Sequence, residues 1–179
     1  MSQPYPYTHC TTADAAELSL PTLSKAEYLV VDCEGRDLGT RFGALSTISV
    51  GTPRPSETFV YDAVLLDCSA LMKVMDLLSN PELLKVMWDG RMDFSEIYHT
   101  YQKRIENVLD MQLAEVMSRT RQRQMEADRQ RRIKAYLRPS LVFPWKDDYE
   151  GIHVVVGMKR CLDEQGLASS SGKDRKCRP

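Results

Sequence analysis

No run of eighteen apolar residues occurs in this chain, so no membrane-spanning helix is expected. The first residues, Met1-Ser-Gln-Pro-Tyr-Pro-Tyr7, have neither the positive charge nor the apolar stretch of a secretory leader. Cysteine is sparse and scattered: five residues, at 10, 33, 68, 161 and 177, with no Cys-x-x-Cys pair. An odd, dispersed set excludes a disulfide framework and a cysteine-rich zinc site, and it suits a reducing compartment. An intracellular location, cytoplasmic or nuclear, is therefore expected. What is present in quantity is ordinary for a soluble globular protein, with 42% hydrophobic and 27% charged residues. A chain of 179 residues can bury about two-thirds of its surface around one core, so a single domain is expected.

Two carboxylates stand out against this background. Asp32 and Glu34 close the apolar run Tyr28-Leu-Val-Val-Asp-Cys-Glu-Gly35. In a strand they share one face while Cys33 looks the other way. Like charges so placed repel, and hard oxygen ligands of this kind suit Mg²⁺ or Mn²⁺. A solvated acidic turn explains the tripeptide equally simply. A second segment, Lys85-Val-Met-Trp-Asp-Gly-Arg-Met-Asp93, reads as a short buried strand, a turn at Asp89-Gly90 and a helix running to Tyr101. Asp93 then lies in the first turn of that helix, near the carboxyl end of a strand, where functional residues of open α/β sheets gather. Alternatively, Asp93 only complements the helix dipole.

Four segments in order, Val30-Val31-Asp32-Cys33-Glu34-Gly35, Leu45-Ser46-Thr47-Ile48-Ser49-Val50-Gly51, Lys85 to Asp93, and Val108-Leu109-Asp110-Met111-Gln112-Leu113-Ala114, resemble the DEDD 3′–5′ exonucleases of the ribonuclease D-like group. The similar region runs from about Leu29 to Met117. The resemblance implies that Asp32 and Glu34 form the first exonuclease motif and Asp93 the aspartate of the second. It also implies a phosphodiester hydrolase with two divalent ions, Mg²⁺ or Mn²⁺, about 4 Å apart. In that scheme Asp32 bridges the ions, Glu34 holds the one that activates water, and Asp93 holds the other. Asp110 corresponds to a structural aspartate that caps the helix it opens.

The family's third motif, Tyr-x-x-x-Asp or His-x-x-x-x-Asp on a later helix, is missing. Tyr98, Tyr101, Tyr136 and Tyr149 are followed four positions on by Gln102, Ile105, Ser140 and His153, and His99 and His153 five positions on by Arg104 and Met158. The chain thus resembles a member that stops before its last helices. Residues 157–167 read as a helix halted at Gly166, and 168–179 as a disordered tail.

Residues 1–110 carry nine Lys and Arg against sixteen Asp and Glu, and residues 111–179 fifteen against nine. Much of the positive charge lies between Arg119 and Arg138, a run of helix-favouring residues closed by Pro139. It reads either as a solvated helix or loop insertion, or as an arm on which Arg129, Arg131 and Arg132 meet phosphates. Aromatic residues for base stacking are absent inside the run. Gly35, Gly39 and Gly43, with Arg36 and Arg41, form a loop that a nucleic-acid backbone could approach, or one that is simply flexible.

The expected elements are a short helix at 22–27, strands at 28–33, 43–51 and 57–62, a helix at 67–79, a strand at 84–88, the helix ending at Tyr101, a strand near 107–109 and the basic helix. A meander followed by alternating strands and helices describes an α/β fold, a ribonuclease H-like mixed sheet with flanking helices and an incomplete C-terminal part. Residues 1–20 are expected as an extension, 21–167 as the domain, with 118–138 a basic helical insertion. Trp88 is expected in the core, Asp147, Asp148 and Glu150 in a polar turn, and His153 in the interior. Two functions compete: a 3′–5′ exonuclease acting on RNA or single-stranded DNA, and a non-catalytic nucleic-acid-binding or adaptor module on the same fold. A domain with no nucleic-acid role ranks third, and oligomeric state is open.

Overall fold

Leu29, Val31 and Cys33 alternate with Val30, Asp32 and Glu34 along strand β2 (Tyr28–Arg36); the first set is buried and the second exposed. That alternation makes β2 a strand with one covered and one open face. The computed structural model describes residues 6–121, 126–137 and 149–167. They fall into two compact units, Met1–Met111 and Gln112–Pro179, where the composition suggested one domain.

The first unit holds a six-stranded sheet. Its strands are β1 (Thr8–Cys10), β2, β3 (Ala44–Gly51), β4 (Thr58–Asp62), β5 (Leu84–Met87) and β6 (Val108–Asp110), in the spatial order β1-β4-β3-β2-β5-β6. The β2, β3 and β4 strands form the expected antiparallel meander, whereas β1 runs parallel to β4, and β5 and β6 parallel to β2. Register places Asp32 opposite Ser49, Glu34 opposite Thr47 and Val30 opposite Val86. This is the mixed α/β sheet expected of a ribonuclease H-like fold.

Helices α1 (Ala13–Ser24), α2 (Cys68–Leu78) and α3 (Arg91–Tyr101) supply the apolar partners of the covered face. Leu23, Leu71, Val74, Met75, Leu78 and Ile97 join Leu29, Val31, Ile48, Val50 and Tyr61 in one buried cluster. Asp67 caps α2, accepting from the Ala70 N–H at 2.8 Å. Lys85 is fully buried, and its ammonium donates to the carbonyls of Asn80 and Leu83, both at 2.6 Å, while burial lowers its pKa.

The N-terminal expectation needs correcting. Residues 8–10 are not an extension but an edge strand of the sheet, with Thr8 opposite Phe59 and Cys10 opposite Tyr61. The helix expected at 22–27 begins instead at Ala13 and contains Pro21. Thr12 starts it by accepting from the Ala15 N–H at 3.3 Å, and Ala16, Ser19 and Leu23 give it a buried face that outweighs the proline.

The second unit contains most of α4 (Met111–Arg121), with α5 (Glu126–Tyr136) and α6 (Met158–Glu164). The basic run expected as one helix over 118–138 therefore lies on α4 and α5, and α4 opens directly after Asp110. Among the second unit's described residues Ile133, Val156 and Cys161 are the buried apolar ones, together with buried Gln112, Glu115, Arg119 and Arg129. Residues 122–125, the Asp147-Asp148 pair, the stop at Pro139 and the tail 168–179 lie outside the described residues. No described helix is long and apolar enough to cross a membrane.

Candidate active site

The site is built at the carboxyl end of β2. Asp32 and Glu34 share the open face of that strand, and the register shifts between Glu34 and Gly35. A side chain at Gly35 would bring its Cβ within 2.2 Å of the Ala44 carbonyl, so glycine alone permits the strands to stay paired beyond the two carboxylates. Alongside, β5 ends at Met87 and the chain turns through Asp89, whose φ is 57°. The Asp89 N–H donates to Asp110 Oδ1 at 3.2 Å, which fixes the turn against the end of β6. The helix α3 then starts at Arg91 and carries Asp93 in its first turn, as the spacing predicts.

Asp93 is buried, and its carboxylate accepts a hydrogen bond from the Cys33 thiol. Burial first, and the charge of Asp32 second, push the Asp93 carboxyl up to about 6, with the Cys33 bond opposing the rise. Asp32 is also pushed up, by loss of hydration and then by the charge of Glu34. Burial and the neighbouring charges of Asp93, Asp32 and Glu34 raise the Cys33 thiol far above its usual range, so it stays a donor.

Asp93 thus lies within electrostatic reach of Asp32, and Asp32 of Glu34. They are not gathered into a ready ligand set: among the described residues, no group of three His, Cys, Asp or Glu is arranged to hold a metal ion. The reason is directional. Asp32 and Glu34 use the open face of β2, whereas Asp93 comes from a helix on the covered face and meets Cys33 there. Chemically the donors suit a divalent cation, since all are hard oxygens and both aspartates carry unrelieved repulsion.

Sequence reading missed Glu96, one turn along α3 from Asp93. Its buried carboxylate accepts from the Gly39 N–H at 3.0 Å and from Thr100 Oγ1 at 2.9 Å. Ser95 Oγ donates to the Gly39 carbonyl at 3.1 Å. The loop between β2 and β3 is therefore tied down rather than freely flexible. Gly39, at φ 70°, passes so close to α3 that a Cβ there would lie 2.8 Å from the Met92 carbonyl. Only an unpaired acidic residue on a helix, with no pattern in the sequence tying it to a glycine 57 positions away, could have signalled this contact. Arg36 and Arg41 are exposed on that loop. Trp88 is half-buried, with an indole N–H that finds no partner among the described residues.

Arg129, Arg131 and Arg132 of the basic run each have an acidic partner. Arg129 is buried, and its guanidinium donates to Glu126, to the Tyr149 carbonyl and, at 3.0 Å, to the Ile152 carbonyl. Its guanidinium is thus engaged by three protein acceptors. Arg131 pairs with Asp128, and Arg132 with Glu164 at 2.7 Å. His153 is half-buried, and its Nδ1 has no partner among the described residues.

Nothing among curated proteins matches this chain. Among solved structures, similarity extends to the RNase D of Trypanosoma brucei in complex with RNA U12, at 24% identity and a TM-score of 0.54, covering 60% of this chain and 38% of that one. The RNase D of Escherichia coli, an exoribonuclease involved in structured RNA processing, is similar at 19% identity and 0.51, over 60% and 28%. The EXD2 exonuclease domain is similar at 19% and 0.53, over 64% and 60%. The matched region spans less than two-thirds of each of these proteins, and at such identities the likeness shows the fold. The family model for 3′–5′ exonucleases matches residues 7–128. That span takes in the carboxylate pair of β2, the aspartate of α3 and the sheet between them, and on this ground the chain belongs to the DEDD 3′–5′ exonuclease family.

Proposed function

We propose that this chain hydrolyses phosphodiester bonds at the 3′ end of RNA or single-stranded DNA, with Asp32, Glu34 and Asp93 holding Mg²⁺ or Mn²⁺. The observation that carries the reading is that Asp93, buried in the first turn of α3, lies close enough to Asp32 at the end of β2 for that charge and burial to raise its carboxyl. Structural ion clusters carry compensating charge; functional ones leave it to the ligand. Bound divalent ions supply Lewis acidity, lowering the pKa of water and neutralising charge on the leaving oxygen. Asp32 would be shared between the ions, Glu34 would hold the one that activates water, and Asp93, whose carboxylate accepts from the Cys33 thiol, would hold the other. Relatives lend support: the EXD2 exonuclease domain has been studied soaked in Mg and GMP and in Mn and GMP, and the trypanosomal RNase D with RNA. An intracellular setting, cytoplasmic or nuclear, is part of this proposal and rests on the five scattered cysteines of the sequence.

One observation favours a second reading, a nucleic-acid-binding or adaptor module without catalysis. No Tyr-x-x-x-Asp or His-x-x-x-x-Asp follows Asp93, and the described residues hold no assembled three-ligand group. Digestion of a 3′-labelled oligonucleotide with added Mn²⁺ separates the two. Enzyme activity appears in the wild type and falls at least a hundredfold in Asp32→Ala; the absence of any Mn²⁺-dependent digestion in the wild type, with oligonucleotide binding intact, would establish the adaptor instead.

A further inference from the structure

The hairpin that continues β2 and β3 beyond the carboxylates ends in an exposed aromatic ring. Phe42 is 75% exposed, at a position where nothing in the sheet requires an apolar side chain. The guanidinium of Arg41 lies over its ring, 5.5 Å from the centroid, and Arg36 reaches its carbonyl at 3.5 Å. A ring left in water at such a tip is dispensable to packing, yet the backbone beneath it is closely specified. Thr40 N–H and Oγ1 donate to the Asp37 carbonyl at 3.2 and 2.8 Å, and the Gly43 N–H donates to the Thr40 carbonyl at 3.0 Å. Asp37 adopts a φ of 48°, and a Cβ at Gly43 would lie 2.5 Å from the Asp37 carbonyl. Beneath the loop, a carboxylate has been buried, that of Glu96, to hold Gly39. Burying an acid is costly unless its bonds are made, and here they fix where Phe42 stands.

Arg36 pairs with Ala44 at the mouth of this hairpin, two positions beyond Glu34. At about 3.3 Å per residue along the strand, and no more per residue back to the tip, Phe42 stands within about 14 Å of Glu34. A flexible single strand entering the carboxylate site crosses that distance. We infer that Phe42 is a stacking platform for an unpaired base of the incoming strand, with Arg36 and Arg41 contacting the phosphates on either side. Every base offers a π-face, so the platform selects unpaired over paired nucleic acid without reading sequence. The flanking guanidiniums supply the charge that the acidic first unit otherwise lacks. The inference rests on the proposed function, because it takes the carboxylate end of β2 as the place the strand is delivered.

The test is fluorescence anisotropy of the full chain with a short labelled single-stranded oligonucleotide in EDTA, where cleavage cannot interfere. Phe42→Ala binds about tenfold more weakly, whereas Phe42→Trp retains affinity and adds emission that the oligonucleotide quenches. An abasic strand of the same length binds wild type and Phe42→Ala alike. Equal affinity of Phe42→Ala and wild type for the intact strand overturns the platform, as does a Phe42→Leu variant that binds like wild type. Since Phe42 is exposed, these variants fold. Mn²⁺-dependent digestion by Asp32→Ala is read in parallel: its loss with an indifferent Phe42→Ala defeats only the platform. Stacking that persists in a chain without digestion defeats only the hydrolase.

Discussion

Both compact units bury ionisable side chains, but they treat the buried charge in opposite ways. In the second unit each one has its counter-ion. Arg119 Nε meets Glu115 Oε1 at 2.6 Å, and the same guanidinium donates to the Val154 carbonyl at 2.8 Å. Arg129 meets Glu126, whose carboxyl is pushed down to about 2, chiefly by that bond. Two arginines thus staple the 149–156 segment by its carbonyls, in a unit with few buried apolar side chains among its described residues. In the first unit a broad apolar cluster carries the fold, and at its edge the charge of Asp32 bears on Asp93 and helps to raise its carboxyl. Compensated burial is what a fold needs to hold together; uncompensated burial is what a ligand site needs. Among the described residues, Arg119 and Arg129 of the basic run are paired in the manner of architecture, whereas the acidic end of β2 is the place where the proposed function puts its ligand.

The contrast can be broken at its apolar end first. Ile48 is fully buried in β3, and Ile48→Ala should cost about 4 kcal/mol, read from denaturant melts. Ile133 is the comparable residue of the second unit, and Ile133→Ala should cost about half as much, since among the described residues only Val156 and Cys161 are buried apolar companions in that unit. Equal losses would show that the second unit has a full apolar core after all. The staples come next. Arg129→Met leaves the Ile152 carbonyl without its guanidinium donor and the Tyr149 carbonyl with only the Ile152 N–H, at a cost of about 2 kcal/mol, and hydrogen exchange should accelerate across 149–156. Arg129→Lys should not restore protection, since an ammonium cannot span the same acceptors. If exchange stays unchanged while nucleic-acid affinity and its salt dependence both fall, Arg129 touches phosphate and the architectural reading of the run fails.

How much of this was legible in the sequence divides along the same line. Strand β2, its carboxylate pair and the helical placement of Asp93 follow from alternation and from the Asp-Gly turn, because those signals are local. The mixed sheet follows from the order of elements. What was not legible depends on partners far apart in the chain. Thr8 to Cys10 offer three residues of strand, too few for any periodicity to show, and their pairing with β4 is set by the sheet. Glu96 looks like any acidic helix residue until Gly39 is beside it. Arg129 looks like part of a charged face, because its acceptors are carbonyls, which every residue has. The loop glycines read as flexibility, whereas Gly39 and Gly43 are small so that α3 and Asp37 can pass. The opposed directions of Asp93 and the Asp32–Glu34 pair are a matter of faces, and no spacing along the chain encodes which face a helix approaches.

The smallest expected effect is the sharpest test of uncompensated charge. With its carboxyl raised to about 6 from an ordinary 3.8, Asp93 favours folding in its protonated form. Its stabilising contribution is complete below the unfolded value and is lost as pH rises through the folded one. In EDTA at pH 8, the ionised carboxylate should therefore cost the metal-free protein about 1–2 kcal/mol, discounted from the full shift for partial solvent access. Asp93→Asn removes the charge while keeping an oxygen for the Cys33 thiol, so it should melt higher than wild type at pH 8. Near pH 3.5 the two should coincide, and the gap should open between about pH 4 and 7. Saturating Mn²⁺ should reverse the order at pH 8, because a bound cation stabilises only the carboxylate form. Parallel melting curves across the whole pH range would mean that Asp93 is neutralised by the protein itself. The distinction between the two units would then disappear at the residue on which it most depends.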